Sequence, residues 1–213
     1  NVAWAAKGAI VLEIGIHGIP VILENQLYSD LSRGVLSNYV LHGIENRDSY
    51  FFRRVYLGCV QAVDFLLSLP KNNGKVGVIG GSQGGMLSLA TSYLDKRITA
   101  TGVSFPAFCD QEAYLHGRTG GWPHFFKNKD NGKKEYVETV RYYDGANFAR
   151  KLTAPVYYAY GYNDLTCGPT TSAATYNAIP APKQVVIGGN EGHWLFPEHI
   201  NGMWEWMIQE LSK

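Results

Sequence analysis

Ser82 stands inside Gly80-Gly81-Ser82-Gln83-Gly84-Gly85, directly after the apolar run Val76–Ile79 and before a helical pattern of Met86, Leu87, Leu89, Ala90, Tyr93 and Leu94. A Gly-x-Ser-x-Gly turn between a strand and a helix lifts a hydroxyl clear of the backbone. It also sets that hydroxyl beside the free N–H groups of a helix start, where an oxyanion would form. Flanking glycines tolerate φ > 0 and let strand and helix approach closely. The spacing alone is a weak signal in a chain with 24 glycines among 213 residues; the flanking strand and helix give it weight. Other glycine turns are excluded by spacing, since Gly-x-Gly-x-x-Gly and Gly-Lys-Ser/Thr are both missing here.

A serine nucleophile needs a base, and the base needs an orienting carboxylate. Where the serine sits on such a turn, the acid and then the histidine follow it in the chain. The apolar run Val156–Tyr160 leads into Gly161-Tyr162-Asn163-Asp164, which makes Asp164 the expected acid. Asp110 and Asp144 lie in a long segment without that placement. The run Gln184–Ile187 leads into Gly188-Gly189-Asn190-Glu191-Gly192-His193, which makes His193 the expected base. His199 falls within the last helical pattern, where a lone histidine reads as surface. His124 reads as a packing or pocket residue, and His17, His42 and His116 have no matching position.

The elements that would position this triad alternate. Apolar runs at Ala9–Ile14, Lys75–Ile79, Thr99–Ser104, Val156–Tyr160 and Gln184–Ile187 read as strands. Between most of them lie helical patterns. Ser49–Leu69 carries Phe52, Val55, Tyr56, Cys59, Val63 and Leu66, with Asp48 or Ser49 as N-cap; Pro169–Ile179 and Pro197–Leu211 open on proline. This predicts an α/β fold, a three-layer α/β/α sandwich around a mainly parallel sheet. Two stretches break the rhythm: Ile19–Arg47 reads as loop, and 106–150 reads as an insertion over the active site, with Trp122 and Phe125 expected to line a substrate pocket.

Composition narrows the function classes. The chain is long enough for one domain with a substantial core, 46% hydrophobic and 17% charged, with a net charge of +1 and no basic block. Nucleic acid and membrane partners are not expected. No apolar run reaches the ~18–20 residues of a membrane span. Cys59, Cys109 and Cys167 form no disulfide framework or metal-ligand pattern and read as buried thiols. No cofactor and no metal is expected.

At this point the sequence resembles the acetyl xylan esterase and cephalosporin C deacetylase family, carbohydrate esterase family seven, within the α/β-hydrolases. Segments similar to that family's run in order over about residues 9 to 195: Arg53-Arg54-Val55, the Ser82 elbow, Tyr143-Asp144-Gly145-Ala146-Asn147-Phe148-Ala149 and Asp164-Leu165-Thr166-Cys167. The resemblance implies an α/β-hydrolase fold, a Ser82–Asp164–His193 triad and the backbone N–H of Gln83 as an oxyanion donor. It also implies metal-free hydrolysis of O-acetyl esters on xylo-oligosaccharides or similar small substrates, and a homo-oligomer. The chain departs from the family pattern twice. Gly15-Ile16-His17-Gly18 stands where the family has Arg-Gly-Gln, and Gly192-His193-Trp194 replaces its His-Glu. His17-Gly18 reads alternatively as an oxyanion-loop His-Gly.

The family's long N-terminal region has no counterpart here. The chain is therefore expected to be a partial hydrolase domain, lacking its first strands and holding half of an oxyanion hole. Two other functions stay open on sequence: a serine peptidase of the prolyl-oligopeptidase type, and a hydrolase-fold binding protein without turnover.

Overall fold

The computed structural model describes residues 2–22 and 24–213. Its elements, in chain order, are α1 (Val2–Ala5), α2 (Asn25–Arg33), α3 (Phe51–Ser68), β1 (Val76–Gly81), α4 (Gln83–Leu94), β2 (Ile98–Ser104), α5 (Lys134–Tyr143), α6 (Gly145–Ala149), β3 (Val156–Gly161), α7 (Pro169–Ala178), β4 (Lys183–Gly188) and α8 (Pro197–Ser212). The four strands form one parallel sheet in the order β1-β2-β3-β4. No helix among the described residues is long and apolar enough to cross a membrane.

Period-two alternation sorts the side chains to the two faces of the sheet. Tyr158 and Tyr160 of β3 pack with Leu89 of α4, Val103 of β2 and Tyr176 of α7. Tyr157 and Ala159, one residue out of phase, pack with Met203 of α8 and Leu195. Helices therefore cover both faces, with α8 on one and α4 and α7 on the other, α3 packing against α4. A larger aromatic core joins α3 and α4 to the 106–150 segment through Phe52, Tyr56, Phe108, Phe125, Phe126 and Phe148.

Three expectations are corrected. Ala9–Ile14 forms no strand. A strand exists through its ladder partner, and among the described residues none pairs with this run: it and β1 both line a cavity of about 440 Å³, and Ile10, Leu12 and Ile14 are exposed. Neither Asp48 nor Ser49 caps α3; Tyr50 holds the cap position without a side-chain bond, and the Phe51 N–H donates to the His42 carbonyl at 2.9 Å. The Ile19–Arg47 stretch contains α2 and a short 3-10 turn at Tyr39–Leu41.

The 106–150 segment folds around one carboxylate. Asp144 is buried, and its oxygens accept from the N–H groups of Asp110 (3.0 Å), Gln111 (2.8 Å) and Ala146 (2.8 Å). Burial pushes its carboxyl up to about 6, against the pull of those donors. Gly145 follows because a Cβ there would lie 2.6 Å from the Cys109 sulfur. Asp144→Ala would strand two buried donors, of Gln111 and Ala146, and a part-buried one of Asp110, at about 1–3 kcal/mol for each buried group. The expected result is a loss of stability of ~3 kcal/mol or more, read by urea denaturation; a loss under ~1 kcal/mol would refute the clamp.

Candidate active site

The turn after β1 is built by sterics. Ser82 has φ +55° and ψ −119°, a conformation that costs a non-glycine residue about 1–3 kcal/mol. It is pinned from both sides: its N–H donates to the Ser104 carbonyl (3.0 Å), and its own carbonyl accepts from Ala107 (2.9 Å). Gly80 is where the strand meets the helix, since a Cβ there would sit 2.4 Å from the Gly84 carbonyl group. At Gly84 a Cβ would meet nothing within 4 Å. Gly80→Ala is therefore expected to displace the serine and cut turnover about 10²-fold. Gly84→Ala should leave stability unchanged or raise it by up to ~1 kcal/mol. Parallel measurement of kcat and Tm checks the contrast, which fails if Gly84→Ala is as damaging as Gly80→Ala.

The strand ends then bring the other two groups to the serine. Asp164 is buried in the loop after β3; its Oδ1 accepts from the N–H groups of Thr166 and Cys167, both at 2.8 Å. Its Oδ2 lies 2.8 Å from His193 Nδ1. Because a carboxylate can only accept, Nδ1–H donates, and the neutral ring presents Nε2 as an acceptor. Ser82 Oγ lies 2.9 Å from that Nε2. Three residues from three loops thus form one hydrogen-bonded line. Gln83 opens α4, so its N–H has no partner within the helix. The side-chain amide of Gln83 donates to the Tyr39 hydroxyl.

Phe105 carried no sequence signal, and Cys167 was read only as a buried thiol and as part of the Asp164-Leu165-Thr166-Cys167 segment. Phe105, at φ +32° just past β2, sets its ring 4.8 Å from the His193 ring and would meet a Cβ at Gly81 at 3.1 Å. Cys167 is buried in the aromatic core against which Trp122 packs. Burial, followed by the Asp164 charge, pushes its thiol up to about 12, so it does not compete as a nucleophile.

The remaining candidates are placed less directly. Trp122 is half-buried and edge-on to Phe108 at 5.4 Å; its carbonyl accepts from the Phe108 N–H and from Gln111 Nε2. Phe125 is 4% exposed and lies in the aromatic core, packed on Phe108 and Phe126. His17 packs its ring on Tyr39 at 4.5 Å and Phe51 at 5.6 Å. Burial, and then Arg54, draws His17 below the ordinary imidazole range. His124 bonds Tyr114 within the 106–150 segment. His199 is not a free surface residue: its Nδ1 lies 2.6 Å from the buried Glu191. All three cysteines are buried and free. The 440 Å³ cavity includes none of Ser82, Asp164 and His193.

Comparison with known proteins gives a consistent picture. The family model described as acetyl xylan esterase matches residues 1–210. Over 212 residues the chain is 41% identical to the acetyl esterase Axe7A of Xylanibacter ruminicola, covering 98% of this chain and 48% of that protein. The chain thus spans about half the length of that curated relative. Among solved structures, an acetyl xylan esterase from Paenibacillus sp. R4 superposes with a TM-score of 0.73 at 31% identity, covering 81% of this chain and 57% of the other. Acetyl xylan esterase 1 from Thermoanaerobacterium also gives 0.73, at 22% identity and with 92% and 61% coverage, a likeness of fold.

Proposed function

From the premise that the chain belongs to the acetyl xylan esterase family, we propose that it is a serine esterase hydrolysing O-acetyl esters of carbohydrates, acetylated xylo-oligosaccharides or similar small esters, through Ser82, His193 and Asp164. The observation that carries this reading is the line from Asp164 Oδ2 through His193 to Ser82 Oγ, at 2.8 and 2.9 Å.

In this mechanism Ser82 Oγ attacks the acetyl carbonyl carbon while His193 Nε2 takes the hydroxyl proton. The oxyanion forms at the start of α4, where the Gln83 N–H and the helix dipole stabilise it. Collapse breaks the bond to the sugar oxygen, which leaves with the proton from His193 and leaves acetyl-Ser82. Water, deprotonated by His193, then releases acetate and restores the serine. Asp164 keeps the imidazole in the required tautomer and stabilises its cation. Trp122, packed edge-on to Phe108 in the segment beyond the end of β2, lines the acyl or sugar pocket; Phe125 supports it from the core.

Acetate release from acetylated xylo-oligosaccharides, with Ser82→Ala as the control, tests the reading. No step draws on a metal, so EDTA should leave the rate unchanged; loss of activity in EDTA restored by zinc would overturn the mechanism. Cleavage of peptide substrates in preference to acetyl esters would favour a peptidase instead. Trp122→Ala should shift relative rates among acetyl substrates several-fold. If it changes only Tm, Trp122 serves packing alone.

A further inference from the structure

The loop that carries His193 also holds a buried carboxylate, set against a histidine of α8, with no part in the proposed reaction. Glu191, two residues before the histidine, is shut off from solvent. Gly188, at the end of β4, makes its space: a Cβ there would sit 2.3 Å from Glu191 Cδ and 2.5 Å from Oε2. His199, in the first turn of α8, brings Nδ1 to 2.6 Å from Glu191 Oε1 with its side chain 29% exposed. Both carboxylate oxygens and Nδ1 are secluded from water, and no aligned hydrogen bond reaches them among the described residues. The contact is a close approach of two ionisable groups without an aligned hydrogen bond. A secluded carboxylate with one partner is a costly way to fill space that an apolar side chain could fill.

The same residue ties together the two loops that bear the acid and the base. Its carbonyl accepts from the Asn163 N–H at 2.9 Å, next to Asp164. Tyr162 N–H donates to Gly188 at 2.8 Å, and Asn163 Nδ2 donates to Gly189 at 3.0 Å. Gly161 permits the approach, since a Cβ there would meet the carbonyls of Gly192 and Glu191. The main chain of Glu191 thus registers the histidine loop on the acid loop, and its side chain registers the same loop on α8.

We propose that Glu191, clasped by His199, is a positioning residue that holds His193 in line between Asp164 and Ser82. The inference rests on the serine esterase reading above. Geometric precision is where the effect should fall, because a misplacement of about 1 Å at a reacting group costs on the order of 10²-fold in rate.

The test compares Glu191→Leu/His199→Leu, which replaces the pair by apolar volume, with Glu191→Gln and His199→Ala. Turnover of 4-nitrophenyl acetate is expressed per serine titrated by a fluorophosphonate, so that misfolded protein is not counted. The double leucine variant is expected to keep its Tm, because apolar replacement of a buried pair is often neutral. Its kcat should fall about ten- to a hundredfold with KM nearly unchanged. Glu191→Gln covers the case in which the double variant does not fold, and should retain more kcat than His199→Ala, which strands the carboxylate. A second readout needs no ester: the downfield proton resonance of His193 Nδ1–H against Asp164 should broaden in the variants. An unchanged kcat per titrated serine together with an unchanged resonance would overturn the proposal, as would a fall in Tm alone. If wild type and Ser82→Ala turn over acetyl esters equally, the esterase reading fails, and the resonance still decides the positioning role.

Discussion

Replacing Ser82 by alanine is expected to lower kcat for acetyl esters by at least ~10⁴-fold while the protein stays folded. The argument is local. The hydroxyl is the one group on the turn that lies 2.9 Å from an acceptor nitrogen. The turn itself is held by main-chain bonds from Ser82 to Ser104 and Ala107, which alanine keeps. The strained backbone at φ +55° is also the same for either side chain. Residual rate would come from the helix start and substrate binding alone. The measurement is initial-rate hydrolysis of 4-nitrophenyl acetate and acetylated xylo-oligosaccharides, alongside thermal unfolding. A folded Ser82→Ala protein with more than about a tenth of the parent kcat would end the serine mechanism.

Asp164→Asn should cost nearly as much, ~10⁴-fold in kcat, for a different reason. Oδ1 of Asp164 already accepts two N–H groups, from Thr166 and Cys167. An asparagine would keep its oxygen there and turn its NH₂ toward His193. Nδ1 would then have to accept, moving the ring proton to Nε2, where it faces the Ser82 hydroxyl and cannot take a proton from it. Fold and substrate binding should survive, so KM should change little. The decisive result is the split between kcat and KM. An equal loss in both, or a loss explained by unfolding, would show that Asp164 serves only to hold its loop.

Much of this was legible in the chain itself because it is decided within a few residues. The glycines around Ser82, the apolar runs of β1 to β4 and the prolines that open α7 and α8 act through local sterics and periodicity. They place the turn, the strands and the helices with ends that shift by one or two residues. The order of Ser82, Asp164 and His193 past the ends of β1, β3 and β4 also follows from sequence, since parallel strands deliver their C-terminal ends to one side of the sheet.

What the tertiary structure decided is which distant groups meet. Ala9–Ile14 has the composition of a strand, yet it does not pair with β1, because a ladder needs a partner within hydrogen-bonding distance and composition supplies none. Phe125 looked like a pocket residue and lies in the core with Phe108 and Phe126. His199 looked like surface and brings Nδ1 to 2.6 Å from the secluded Glu191, and Phe105 packs on the His193 ring. Each depends on how α8 and the loop after β2 cross the sheet, a property of chain path that no local pattern encodes. The sequence by itself determined the chemistry on offer and the turn that presents it. The three-dimensional path determined the distances that bring Asp164, His193 and Ser82 into one hydrogen-bonded line, because those distances are set by packing between elements far apart in the chain.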